Sequence, residues 1–276
     1  MDVLWTAVLG AVQGLTEFLP VSSSGHLAAC ALWAERLGLG GARGEEPLLL
    51  GVVLHVATLA AVLVYFRAQA LDAVLGAGRG LKALARGRLR EALEADAGVG
   101  LALAICVGTI PTGAIGLVIK GPTERIEGSP AALGLCFLAT AALLAATRWW
   151  KGGARRLDWR AALIIGIVQG IAVLPGVSRS AATIVAGLAL GLDREEAVRF
   201  SFLLSVPAVA GAALLEIRPQ EIAVAGHGPA FAVGCAVAFG VGMLSLSALR
   251  RIVVGGRLWW FAPYVAAVGA TLFVIA

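Results

Sequence analysis

Long apolar runs separated by short polar segments set the organisation of this chain. The stretches 47–66, 98–119, 130–147, 200–217, 229–249 and 258–276 each come close to the roughly 20 apolar residues that cross a bilayer as a helix. None has the residue-by-residue alternation of a barrel strand. The pattern predicts an all-α, polytopic membrane protein with six transmembrane helices. A polar stretch over 67–97, carrying Arg67, Arg79, Lys82, Arg86, Arg88 and Arg90, reads as a helix lying on the membrane surface. The other polar breaks are a glycine-rich loop before 47, a short loop with Pro122 and Gly128, a basic loop over 148–160 and a charged segment over 193–199.

Two further apolar stretches resemble each other. Residues 10–27 read GAVQGLTEFLPVSSSGHL and residues 166–183 read GIVQGIAVLPGVSRSAAT. Without a gap they match at Gly10/Gly166, Val12/Val168, Gln13/Gln169, Gly14/Gly170, Val21/Val177, Ser22/Ser178 and Ser24/Ser180, an internal repeat. In each copy an apolar arm is stopped by a proline, which offers no N–H and crowds the preceding turn. A serine-rich turn follows and a second apolar arm begins. Neither arm is long enough to cross a bilayer, so the copies, about 1–37 and 161–192, predict two re-entrant helical hairpins.

Sixteen of the 22 lysines and arginines fall in the segments 67–97, 148–160, 193–199 and 250–257, which the positive-inside tendency puts in the cytoplasm. Tracing the chain from there, the first hairpin enters and leaves on the outer side and the second on the cytoplasmic side. The expectation is a single membrane domain over 1–276 made of two inverted-topology repeats, 1–150 and 158–276. Its functional site is expected near the midplane, where the broken helices meet.

Composition agrees with this class. The chain is 59% hydrophobic and 14% charged, against about 45–50% and about 25% in soluble domains. Its net charge of +5 sits in loops, which points to membrane orientation and leaves no role for nucleic acid. No basic flank precedes the first apolar run, so a cleaved signal peptide is not expected. Cys30, Cys106, Cys136 and Cys235 lack paired spacing and read as small packing residues.

The candidate chemistry lies at the hairpin turns. Gln13 and Glu17, four apart, share a helix face. A carboxylate there costs roughly 2.5–3.5 kcal/mol in hydrocarbon, which points to a wet, protein-lined cavity. The outgoing arm starts at Ser22-Ser23-Ser24-Gly25-His26, where unpaired amides and the positive end of the dipole favour an anion. Ser23 and His26, three apart, offer a hydroxyl and an imidazole, the pairing of base-assisted nucleophilic attack. At the second turn Val173 replaces Glu17, Ala182 replaces His26 and Arg179 replaces Ser23. Arg179 among Ser178, Ser180 and Thr183 suits a clamp on phosphate oxygens. The pairs Gly10/Gly14 and Gly166/Gly170 read as helix-packing spacings. His55 fits a packing role or a cavity wall equally, and His227 reads as an external-loop residue without function.

The strings QGLTEFLPVSSSGHL and LPGVSRSAAT resemble the two signatures of the undecaprenyl pyrophosphate phosphatases, the bacitracin-resistance family of bacterial inner membranes. The resemblance covers essentially the whole chain. It implies a membrane phosphatase that hydrolyses undecaprenyl pyrophosphate to undecaprenyl phosphate and inorganic phosphate, recycling the lipid carrier of cell-wall synthesis. It also implies a site opening to the outer, periplasmic face and a divalent cation, Mg2+ or Ca2+. On this mapping Glu17, Ser23, His26 and Arg179 are catalytic. Gln13, Ser22, Ser24, Ser178, Ser180 and Thr183 contact substrate. Gln13 stands where the family admits an acid, which leaves Glu17 as the one carboxylate for a metal, so the cation would ride mainly on the diphosphate oxygens. Either Ser23 attacks phosphorus with Glu17 or His26 taking its proton, or water held by Glu17 and His26 attacks directly. Both routes stay open, as does a homodimer. An inverted repeat also allows a secondary transporter or flippase of a polyprenyl phosphate, although a carrier has no use for a nucleophile and base. The other membrane lipid-phosphatase superfamily needs a further histidine soon after its SR motif, and 178–200 holds none.

Overall fold

The computed structural model describes residues 3–37, 48–150, 152–216 and 228–276; the glycine-rich loop before 47 and His227 lie outside them. The first half comprises α1 (Val3–Thr16), α2 (Ser23–Arg36), α3 (Leu48–Tyr65), α4 (Arg67–Ala85), α5 (Leu89–Ala95), α6 (Ala97–Val118), α7 (Lys120–Glu127) and α8 (Pro130–Ala146). The second comprises α9 (Trp159–Ile171), α10 (Arg179–Ala189), α11 (Arg194–Glu216), α12 (Gly228–Val254) and α13 (Ala262–Leu272). Among the described residues the nearest thing to a strand is an isolated bridge between Arg155 and Leu192.

Three helices, α6, α11 and α12, are long and apolar enough to cross a membrane, and five spans result if two bent pairs each count as one. Those pairs are α3 with α4, bent by 87°, and α7 with α8, bent by 106°. The run 258–276 is not one helix: a 3-10 turn over Leu258–Phe261 leads into the 11-residue α13. Pro263 sits in the first turn of α13, where its missing N–H costs nothing, and marks the break. The expected loop around Pro122 is instead the helix α7, for the same reason: Pro122 falls in its first turn.

The polar stretch 67–97 forms α4, bent 87° from α3, followed by α5. Ala73, Gly76 and Gly80 of α4 are buried, and a Cβ on Gly76 would come within 2.2 Å of Gly98 in α6. Asp96 caps α6 by accepting from the Gly98 and Val99 amides, and it pairs with Arg79, which also reaches Asp72. The Arg79 guanidinium holds the Asp96 carboxyl below the ordinary carboxylate range.

Packing is dominated by α1 along α12, α9 along α6, α8 against α13 and α3 against α12 and α11. The glycine spacings of the repeat are contact surfaces, as expected. A Cβ on Gly10 would lie 2.3 Å from the Gly234 carbonyl oxygen, and one on Gly166 would lie 2.2 Å from that of Gly108. Thr112 seals the second contact by donating to the Gly166 carbonyl at 2.8 Å. Gly166→Ala should therefore force α9 off α6 and destabilise by about 1–3 kcal/mol, the usual range for overpacking. Thermal unfolding in detergent would read this as a lowered midpoint, whereas Gly100→Ala, where a Cβ meets no atom within 4 Å, should leave the midpoint level or raise it, since alanine is the better helix former.

Contacts also join several basic segments at one end of the molecule. Arg194 donates to the Val254 carbonyl, Arg250 pairs with Glu195, Arg155 bridges Leu192, and Arg148 stacks over Trp259. All four cysteines are free, but Cys30 and Cys106 are exposed on helix surfaces and not in packing positions.

Candidate active site

Each hairpin turn starts where a proline ends hydrogen bonding. Leu19 donates to the Leu15 carbonyl before Pro20, and Leu174 to that of Ile171 before Pro175. The chain must then reverse through a left-handed step. In the second hairpin Gly176 takes it, with φ of 82°. Its gapless counterpart in the first hairpin is Pro20, whose ring forbids positive φ. The step falls instead on Ser22, with φ of 69°, the one non-glycine residue with positive φ among those described. Local bonds hold Ser22 there: its hydroxyl accepts from the Gly25 amide, and its carbonyl accepts from the His26 amide and from His26 Nδ1. Thr140 of α8 holds the second turn, donating to the Gly176 carbonyl at 2.8 Å and accepting from the Ser178 amide at 3.1 Å.

The two tips meet. A Cβ on Gly25 would lie 2.6 Å from the Gly176 nitrogen, and the Ser180 hydroxyl donates to the Leu19 carbonyl. Across this contact Arg179 Nη2 donates to Glu17 Oε1 in an ion pair. The other carboxylate oxygen accepts from Gln13 at 3.2 Å and from the Ser23 hydroxyl at 3.1 Å, with His55 Nε2 at 3.6 Å. The Glu17 side chain is only 7% exposed, so these partners and not bulk water stabilise its charge. The Ser22 and Ser178 hydroxyls cap the third residues of the outgoing helices. This leaves the amides of Ser23, Ser24, Arg179 and Ser180 without a partner among the described residues. A cavity of about 340 Å³ lies against the tips, walled by Glu17, Ser22, Ser23, Ser24, Ser178 and Arg179 together with His55, Thr112 and Gln169. A guanidinium and two helix N-termini make it a site for an anion.

Glu17, Ser23 and Arg179 are thus brought together, and Ser22, Ser24 and Ser178 stand on the wall as expected. Gln13 is not on the wall; it holds Glu17 from behind. Ser180 is spent on Ser178 and Leu19. Thr183, read as a substrate contact, is only 1% exposed; one turn into α10, its hydroxyl bonds back to the Arg179 carbonyl and to Ser201. His26 departs most from expectation. Its Nδ1 donates to the Ser22 carbonyl, so Nε2 accepts from the Tyr264 hydroxyl at 2.8 Å. The ring stacks on Tyr264 at 5.7 Å and meets Phe137 edge-on, outside the cavity wall. Three-residue spacing put Ser23 and His26 on one side of a helix, but Ser23 reaches back past the helix end to Glu17 while His26 crosses to α13.

Sequence reasoning left His55 undecided, and it lines the cavity. Thr140 and Tyr264 were missed, because their partners lie far along the chain and no local pattern marks them. Glu17 as a metal ligand does not fit this geometry. Both its oxygens already accept from cationic or neutral donors, and no group of three or more His, Cys, Asp or Glu able to hold a metal occurs among the described residues.

Residues 6–271 match the family model described as Bacitracin resistance protein BacA. A protein of Desulfatibacillum aliphaticivorans named Undecaprenyl-diphosphatase is 44% identical over 282 residues, covering 99% of each chain. Proteins of the same name are 38% identical in Korarchaeum cryptofilum, over 99% of this chain and 98% of the relative, and 38% identical in Mycobacterium sp. strain KMS, over 100% and 97%.

Proposed function

The chain belongs to the bacitracin resistance protein BacA family, and from that premise we propose how its cavity works as an undecaprenyl-diphosphatase, returning undecaprenyl diphosphate to the monophosphate carrier of cell-wall synthesis. One observation carries the mechanism: the Glu17 carboxylate takes the Ser23 hydroxyl on one oxygen and Arg179, from the opposite hairpin, on the other. Arg179 has one nitrogen engaged and the rest of its fork available, and beside it lie the free amides of both helix starts. Together they grip the diphosphate and stabilise charge as the bond to the leaving phosphate breaks. A carboxylate tied to a guanidinium is a poor base. As the incoming phosphate draws Arg179 away, Glu17 becomes basic enough to take the Ser23 proton. The Ser23 oxygen then bonds to the terminal phosphorus while the bridging oxygen leaves with undecaprenyl phosphate. Glu17 passes that proton to the departing phosphate oxygen; as a carboxylate again it takes one from the water that attacks the phosphoserine, and returns it to the Ser23 oxygen as inorganic phosphate leaves. His26 and Gln13 position the turn and the carboxylate. A divalent cation, Mg2+ or Ca2+, would on this reading be carried in by the substrate's own oxygens, and no step above depends on a protein-held metal.

The same reading makes the molecule two inverted repeats with six spans, α3, α6, α8, α11, α12 and α13 with its 3-10 lead-in, in the inner membrane. Partner exchange supports it: the incoming arm of each hairpin packs on a long helix of the other half, α1 on α12 and α9 on α6. The gathering of basic segments at one end supports a cytoplasmic assignment for that end. The cavity walls Val52, Thr112 and Ala212 come from the parts of α3, α6 and α11 remote from it, which supports an opening to the outer face. Rapid quench of the purified protein with a polyprenyl diphosphate labelled in its terminal phosphate tests the covalent step. Label on Ser23 is expected; phosphate release at the normal rate with no labelled serine at any time would assign the attack to water instead.

A further inference from the structure

We propose that the corner between α4 and α5 is a binding site for the headgroup of an anionic phospholipid. Two stripes run side by side along α4. Leu71, Val74 and Leu81 are exposed apolar residues on one, at spacings of three and seven, and Arg79, Lys82 and Arg86 form the next. Both lie away from the buried face of Ala73, Gly76 and Gly80 that packs on α6. With α3 taken as a span, as proposed above, α4, turned 87° from it, lies along the membrane plane, where the apolar stripe can enter the acyl region and the cations sit at headgroup level. Gly87, with φ of 68°, then turns the chain sharply, its amide bonding to Leu84 and that of Arg88 to Ala83. This folds α5 back beside α4 to border an open surface groove of about 410 Å³ lined by Arg79, Lys82, Arg86, Arg88 and Glu91.

The charges in this groove are unequal. Arg79 is committed to Asp72 and Asp96, and Arg88 approaches Glu91 at 3.5 Å. Lys82 and Arg86 have no ion-pair partner among the described residues. A phosphodiester between two acyl chains matches both stripes at once. A free phosphate would use only the cations and leave the leucines in water.

The full chain, reconstituted in nanodiscs of phosphatidylcholine alone or with phosphatidylglycerol, tests this. Phosphatidylglycerol is expected to raise the unfolding midpoint and to remain bound in native mass spectrometry. Lys82→Ala combined with Arg86→Ala should lower its retention roughly thirtyfold, from about fivefold per cation at a membrane surface. Phosphate release by that variant in detergent should be unchanged, since neither residue lines the catalytic cavity. Equal retention by variant and wild type would overturn the proposal, as would displacement of the lipid by inorganic phosphate at comparable concentration.

Discussion

Replacing Arg179 with alanine is expected to cut kcat/KM for diphosphate hydrolysis at least about a hundredfold, and to weaken the fold as well. The two losses have different causes. Turnover falls because the guanidinium aims preorganised charge at the transferring phosphate, and removing such a donor typically costs that much. Stability falls because Glu17, 7% exposed, would keep its charge with neutral donors and the half-exposed His55 alone. Truncating one partner of a buried pair costs about 3–5 kcal/mol, and the 28% exposure of Arg179 puts this case at the lower end. Adding Glu17→Gln to Arg179→Ala removes the stranded charge, so the unfolding midpoint should largely recover while phosphate release does not. Arg179→Lys keeps the charge but loses the planar fork, and a substantial loss of rate is expected there too. Near-normal phosphate release by purified Arg179→Ala would take the residue out of the site.

The parts of this site that could be read from sequence are those marked by local conflict. A carboxylate, a serine cluster and an arginine in apolar arms, each beside a proline stop, announce a cavity because hydrocarbon does not tolerate them, and the repeat ties the two turns together. The direction of a side chain at a helix start carries no such mark. His26 was legible as an unusual residue, but whether it faced Ser23 or α13 depended on Tyr264, 238 residues away. Thr183 looked like part of a serine-threonine cluster, yet one turn of helix removed it from the tip, and a threonine inside a helix has its own carbonyls to satisfy. Apolar runs showed where helices lie but not where they bend. The perpendicular turn at Phe66, the helix around Pro122 and the divided run after 258 are set by packing against neighbours and by where a proline can be accommodated. The role of Thr140 arises only once the halves are brought together, and that of His55 only once α3 lies beside the first hairpin.

Glu17→Gln separates the base from the scaffold. Glutamine fills the same volume and can still accept from Ser23, so the meeting of the tips should survive, but it cannot take a proton. A fall in kcat of at least about a hundredfold is expected, the lower range for loss of a general base. KM should stay level or fall, because the guanidinium, no longer held by a carboxylate, is freer to meet the phosphate. Rapid quench of this variant then locates the proton transfer. If Glu17 activates Ser23, no phosphoserine forms; if it serves only the water that follows, phosphoserine builds up and decays slowly. A variant with normal kcat and raised KM would reduce Glu17 to a binding group. Since its carboxylate is where the two hairpins join chemically, the proposed division of labour between them would fall with it.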